Sequence, residues 1–446
     1  MRKNVKKQLA LRVLSTAALV AMVSSIATAA FADTYDLNTG SVTVETKANG
    51  ITYVTQKDDK QVDGFARNKN NEVLNEHPDD TGVTITSDGK QTSNTITVET
   101  AKDQTTDVTL ENVHIEVNTT DAKSGAIEIK GDGDTNLELN GDNTVLVKNR
   151  WSDEHAAIEK ADAYGKGTLT IKDDVNDNGS KKTGKKTGTD ADTTGKLLAG
   201  GYHNSAAIGG GSDTYNREYS LADTSNITIT GGDITAIAGN DGAAAIGGGC
   251  SGTGKNIRIE GNADVKAASQ GGAAIGGGTG SGNSVTITDD AVVDAYSAFA
   301  AAIGNGDQVG RPNDPTTITI SGNATVHAET SQRDCAIGTS GDGSLSDLTI
   351  NIEENANVTA ISSHDVPAIG NAACHDDTTT TINITGGTVN AINSYGSDNP
   401  SYPNDGTGNT SPAIGTTIDS DCGGTCNVNI NSSTGDTVVN AYIYGK

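Results

Sequence analysis

The sequence predicts an all-β fold, a right-handed parallel β-helix with three short strands per coil and about ten or eleven coils. Two observations carry the prediction. A six-residue motif recurs along the chain, and between its copies lie two further short patterns of strict two-residue alternation. The motif reads Ala206-Ala207-Ile208-Gly209-Gly210-Gly211, then Ala244-Ala245-Ile246-Gly247-Gly248-Gly249, then Ala273-Ala274-Ile275-Gly276-Gly277-Gly278. Weaker copies centre on Ile303, Ile337, Ile369 and Ile414, with earlier relatives at Ile127 and Ile158. From Ile208 onward the spacings are 38, 29, 28, 34, 32 and 45 residues.

The first alternating pattern is Ile227-Thr228-Ile229, Ile257-Arg258-Ile259, Val285-Thr286-Ile287, Ile318-Thr319-Ile320, Leu348-Thr349-Ile350, Ile382-Asn383-Ile384 and Val428-Asn429-Ile430. The second is Ile234-Thr235-Ala236, Val265-Lys266-Ala267, Val293-Asp294-Ala295, Val326-His327-Ala328, Val358-Thr359-Ala360 and Val389-Asn390-Ala391. A period of two sends one side chain inward and the next outward. One such unit cannot bury its own apolar face. Stacked units can, because each coil pairs with the next at ~4.8 Å and like residues form ladders. An antiparallel sandwich fits poorly, since it does not repeat one residue register so often. About ten coils make a rod of roughly 50 Å at that spacing.

Residues 1–32 read as a signal peptide. Arg2, Lys3, Lys6, Lys7 and Arg12 form a basic leader, an apolar run follows from Val13 to about Ile26, and Ala30-Phe31-Ala32 is a small-residue cleavage site. The apolar core falls short of the ~20 residues a membrane span needs. A secreted protein, extracellular or loosely held at the cell surface, is therefore expected, with no membrane insertion. The last residues, Tyr444-Gly445-Lys446, show no sorting motif or hydrophobic tail. Residues 33–80 read as an N-terminal cap segment and 81–446 as the β-helix. Strand-like runs are visible at Val83-Thr84-Ile85, Ile96-Thr97-Val98, Val108-Thr109-Leu110 and Leu137-Glu138-Leu139, and a polar insertion is expected at about 173–196.

The chain carries 31 basic and 57 acidic residues, a net charge of −26. Removing the five positive charges of the leader leaves −31. Such a surface repels nucleic acid, which excludes that class of partner. It offers many oxygen ligands to hard cations, which makes calcium the candidate cofactor. The five cysteines are Cys250, Cys335, Cys374, Cys422 and Cys426. Export permits disulfides. Cys374 with Cys422 could link coils, or Cys422 with Cys426 could close a small loop. Their spacing completes no four-ligand zinc set.

The segments Tyr35-Asp36-Leu37, Gly40-Ser41-Val42, Thr95-Ile96-Thr97-Val98, Val108 to Ile115, Ala126-Ile127-Glu128-Ile129-Lys130-Gly131, Gly167 to Ile171 and the Ala-Ile-Gly-Gly-Gly copies together resemble a family of secreted Gram-positive proteins. These are carbohydrate-binding-domain proteins with a polysaccharide-lyase-like right-handed parallel β-helix. The resemblance spans nearly all of the chain after the leader. It implies polysaccharide binding, with calcium sometimes involved. No catalytic motif of the family is matched, and no wall-anchoring module accompanies the repeats.

Sugar sites use flat rings beside polar groups. Trp151 and His155 precede Ala156-Ala157-Ile158, and Tyr202 and His203 precede Ala206-Ala207-Ile208 in the same way, with Tyr215 and Tyr219 in the next loop. These six residues form the candidate ligand-binding patch. Asp174, Asn176 and Asn178, followed by Gly179, match the first half of an oxygen-ligand calcium loop, but the twelfth position is Lys185. The acidic pairs Asp132/Asp134 and Asp419/Asp421 are further cation candidates. Gly179 to Lys186 only superficially resembles a phosphate loop.

The outward row Lys266, Asp294 and His327 could in principle do acid–base work. It continues as Thr359 and Asn390 and reads as a solvated face. Outward threonines at 228, 286, 319 and 349 are interrupted by Arg258, Asn383 and Asn429, which argues against an ice-binding row. The expected function is non-catalytic recognition of polysaccharide or host glycan by a monomeric, adhesin-type rod. The alternatives are a polysaccharide lyase and a structural or protein-binding surface component.

Overall fold

In the computed structural model the described residues are 34–56, 73–77, 82–118, 124–148, 155–174, 195–212, 221–280, 283–306, 314–332, 334–340, 346–363, 366–372, 378–394, 411–417, 424–432 and 437–444. Residues 1–32, read from the sequence as a signal peptide, lie outside them. No helix among the described residues is long and apolar enough to cross a membrane.

Three long sheets of 12, 13 and 11 strands run the length of the rod. Each successive coil adds one parallel strand to each sheet, and such crossovers are right-handed. The fold is a right-handed parallel β-helix. Its walls are the three expected from the sequence. The Ile-x-Ile sheet stacks Ile227, Ile257, Val285 and Ile318 in one row. The Val-x-Ala sheet stacks Ile234, Val265, Val293, Val326, Val358 and Val389. The Ile-Gly sheet stacks Ile127, Ile158, Ile208, Ile246, Ile275, Ile303, Ile337, Ile369 and Ile414. A single buried cluster runs from Tyr35 to Ala413, so each coil closes the core of the one below it.

The glycine of each Ile-Gly step is a steric requirement. Gly247 has φ +138°, and a Cβ there would lie 1.8 Å from the carbonyl oxygen of Gly276 on the next rung. The wall turns sharply at this point and backbones meet where side chains would otherwise stand.

The structure corrects one expectation, the register of a single strand. Leu348 pairs with Thr316 and Ile350 with Ile318, so Thr349 does not continue the row of Thr319. Asn351 does, and Asn383 and Asn429 follow it. The run Leu348-Thr349-Ile350-Asn351-Ile352 alternates over five residues, so period alone leaves two equivalent windows. Stacking selects the later one. The amides then form a ladder: Asn383 Nδ2 donates to Asn351 Oδ1 at 2.9 Å and Asn429 Nδ2 to Asn383 Oδ1 at 2.9 Å. The Val-x-Ala sheet has 11 rungs, in line with the ten or eleven coils expected, and the Ile-x-Ile sheet has 12, with Thr34–Asp36 and Val83–Thr86 among them. Lys196, at the far end of the polar insertion expected at about 173–196, opens the strand Lys196–Gly200.

Within 33–80, Val42–Thr46 joins the Ile-Gly sheet in parallel with Ile96–Thr100. The strand Thr52–Gln56 then folds back antiparallel on it, and Val73–His77 pairs antiparallel with Thr52–Gln56 in turn.

Candidate functional site

Two regions concentrate chemistry. The first is a buried polar cluster on the Ile-Gly wall. Where later coils carry glycine, two adjacent coils carry glutamate: Glu128 pairs with Glu159, and Glu159 in turn with Gly209. Their carboxylates therefore sit one above the other. His155, four residues before Glu159, turns inward, and its Nδ1 lies 2.6 Å from Glu159 Oε2. One ligand atom from each of Glu128, His155 and Glu159 lies within 4.8 Å of the others, and all three residues are buried. Lys130 Nζ is 2.8 Å from Glu128 Oε2 and 4.8 Å from the centre of the Tyr164 ring.

Tyr164 comes from the short 3-10 turn Asp162–Tyr164. Lys166 and Ser225 both hold Asp162 of that turn, at 2.5 Å and 2.6 Å. Burial pushes the Glu159 carboxyl up, against the opposing pull of His155. It also raises the Tyr164 phenol, with the charges of Glu159 and Glu128 adding to the effect. Lys160 is fully buried and donates to the carbonyl of Gly165 at 3.1 Å. Desolvation lowers its ammonium below the usual lysine range.

The second region is the outer face of the Val-x-Ala sheet. Its middle row is Thr235, Lys266, Asp294, His327, Thr359, Asn390 and Asn440, in register on successive coils. Two residues along the strand runs a less polar row: Ile237, Ala268, Tyr296, Glu329, Ile361, Ile392 and Tyr442. Ile237 is 47% exposed and Tyr296 40%, and Phe299, at the corner just beyond, is 47% exposed. Leu198 and Val292 lie exposed on the same face. Among the described residues, the exposed large apolar side chains all lie on this face, at its corner or on the last coil.

The residues singled out from sequence separate. His155 is buried against Glu159 and presents no ring to the surface. Tyr202 and His203 stay together at a coil corner, their rings edge to face at 4.5 Å. His203 Nδ1 lies 3.3 Å from Asp241 Oδ2 on the next coil, and Ser205 pins the loop through the backbone of Tyr202. Trp151, Tyr215 and Tyr219 lie outside the described residues, as do Asn176, Asn178, Asp419, Asp421, Cys374 and Cys422. Asp174 is engaged by Lys172 Nζ at 3.2 Å, and its own N–H donates to Glu138. Asp132 and Asp134 accept the backbone N–H groups of Lys166 and Thr168 on the next coil, which makes them turn caps. Cys335 is a buried thiol and Cys426 an exposed one.

Sequence reasoning missed Glu128 and Glu159. The only signal was that both occupy the glycine position of the Ala-Ile-Gly motif. The profile of one family, described as Beta helix repeat, matches residues 227–250 and 382–415. No curated protein and no solved structure matches the chain.

Proposed function

We propose that the protein is a secreted, non-catalytic, adhesin-type rod that takes a polysaccharide chain lengthwise along the outer face of the Val-x-Ala sheet. The observation that supports this is the gathering of exposed apolar side chains on that one face. Tyr296, Phe299 and Ile237 there flank a row of hydrogen-bonding groups, Lys266, Asp294 and His327. Rings and aliphatic surface cover the apolar faces of sugars, and polar neighbours fix their hydroxyls. The burial of Glu128, His155 and Glu159 keeps the strongest acid–base groups away from a polymeric substrate and argues against a lyase.

A glycan array probed with the protein lacking residues 1–32, with calcium and with chelator, tests the reading. Binding that falls in Tyr296→Ala and Phe299→Ala but not in Tyr202→Ala supports it. Binding lost on chelation adds calcium to the site. A blank array with folded protein overturns it.

A second reading, a structural or protein-binding rod, is favoured by the last coil, where Val428 and Ile430 stand exposed in line with the buried Ile382 and Ile384. Capture of proteins without any glycan signal would select that reading.

A further inference from the structure

We propose that Glu128, His155 and Glu159 form a binding site for a divalent transition metal of the zinc class, built into the Ile-Gly wall. The site is independent of the outer face of the Val-x-Ala sheet.

Geometry supplies the first argument. Three ligand-bearing side chains from two adjacent coils bring one atom each within 4.8 Å of one another. Zinc takes nitrogen and oxygen ligands at about 2.0–2.2 Å, so a small inward movement of the side chains closes such a set around one ion. The register makes the cluster rigid, because Glu128 and Glu159 are fixed partners in a parallel pair.

Electrostatics supplies the second. Like charges on directly opposed residues of a sheet repel, and here two carboxylates are stacked inside the protein. Lys130 reaches Glu128. Glu159 is wholly buried, with His155 and the Tyr164 hydroxyl as its hydrogen-bonding neighbours, yet its Oε1 has no partner at full hydrogen-bond geometry. A buried carboxylate oxygen left short of a donor is unfavourable. A cation shared by both glutamates satisfies that oxygen and removes the repulsion together.

Ligand chemistry supplies the third. An imidazole with two carboxylates suits zinc, manganese or ferrous iron. Calcium prefers six to eight oxygens, which this enclosed set does not offer.

Protein stripped with chelator and returned to metal-free buffer is titrated calorimetrically with zinc and, separately, with calcium. One zinc per chain is expected, with calcium giving no saturable heat at this site. His155→Ala and Glu159→Gln should each weaken zinc binding by roughly 100-fold or more, beyond the 10–100-fold typical of outer-shell changes. Their β-type circular dichroism should be retained. Cobalt in place of zinc should give weak visible bands without a thiolate charge-transfer band. That spectrum reads the ligands in the unmutated protein and does not depend on the variants folding. Three results would overturn the proposal: no stoichiometric zinc, full affinity in both folded variants, or a thiolate band that assigns the metal to cysteines. The first would leave a shared proton as the occupant of the cluster.

Discussion

Replacing Gly276 with alanine tests the idea that the Ile-Gly wall is held by backbone contact. A Cβ at Gly276 would meet the carbonyl oxygen of Gly304 at 2.1 Å, whereas real contacts do not fall below 3.0 Å. The two rungs must part locally by the difference, about 0.9 Å. The bonds from Ile275 N to the Ala302 carbonyl and from Gly277 N to the Gly304 carbonyl, both 3.0 Å, then stretch beyond useful length. Two lost bonds cost roughly 1–3 kcal/mol. The φ of +136° adds about 1–2 kcal/mol for any side chain. The expected loss is therefore roughly 2–5 kcal/mol. Gly89→Ala is the control, because Gly89 also has positive φ (+67°) but nothing within 4 Å of its Cβ position. It should lose only the backbone contribution, about 1–2 kcal/mol.

Urea unfolding followed by circular dichroism gives the global change. Long repeat arrays can lose two-state behaviour, so hydrogen exchange at the rungs of Ile275 and Ile303 gives the local one. If Gly276→Ala is no more destabilising than Gly89→Ala, and exchange at those rungs is unaltered, close backbone approach is not what holds this wall.

Three further outcomes follow from particular side chains. Asn383→Ala removes two amide–amide bonds of the Asn ladder and should cost about 1–2 kcal/mol in urea titration, at the low end because the ladder is partly solvated. Ile303→Ala hollows a fully buried rung between Ile275 and Ile337 and should cost about 2–5 kcal/mol, measured the same way. With a chromogenic disulfide reagent at neutral pH, Cys426 should react at once in the native protein. Cys335, whose thiol burial pushes well up, should react only after denaturant is added.

The walls of the rod were legible because period two and a recurring glycine step are both local signals. Ile208, Ile246 and Ile275 could be set in one row from sequence, and they stack as expected. Register between coils is not local. The Leu348–Ile352 strand offers two windows of identical alternation, and only contact with the strand Thr316–Ile320 decides between them. The antiparallel strands Thr52–Gln56 and Val73–His77 escaped notice because nothing in their sequence distinguishes them from further rungs.

The site residues follow the same division. His155 is a polar ring beside a predicted loop, and sequence places it outside. Its partner Glu159 comes from the strand Ile158–Glu159 of the Ile-Gly wall and draws it in. Tyr296 was passed over because its strand reads as an ordinary solvated one. Its significance appears only when Ile237, Ala268 and Tyr296 are seen to fall in one row.

The in-register stacking of the outer rows has a consequence for whatever lies along them. Equivalent positions recur at ~4.8 Å, so the face has pitch but little relief. It gauges a bound polymer by phase. A chain whose own repeat keeps step with the rungs gains the same contacts at each one, and its residence time climbs steeply with length as each contact raises the local concentration of the next. A chain of slightly different repeat drifts out of step within a few rungs, and lengthening it adds nothing. Discrimination on such a surface is spread along the ladder, and the number of coils in the rod sets how finely two repeats can be told apart.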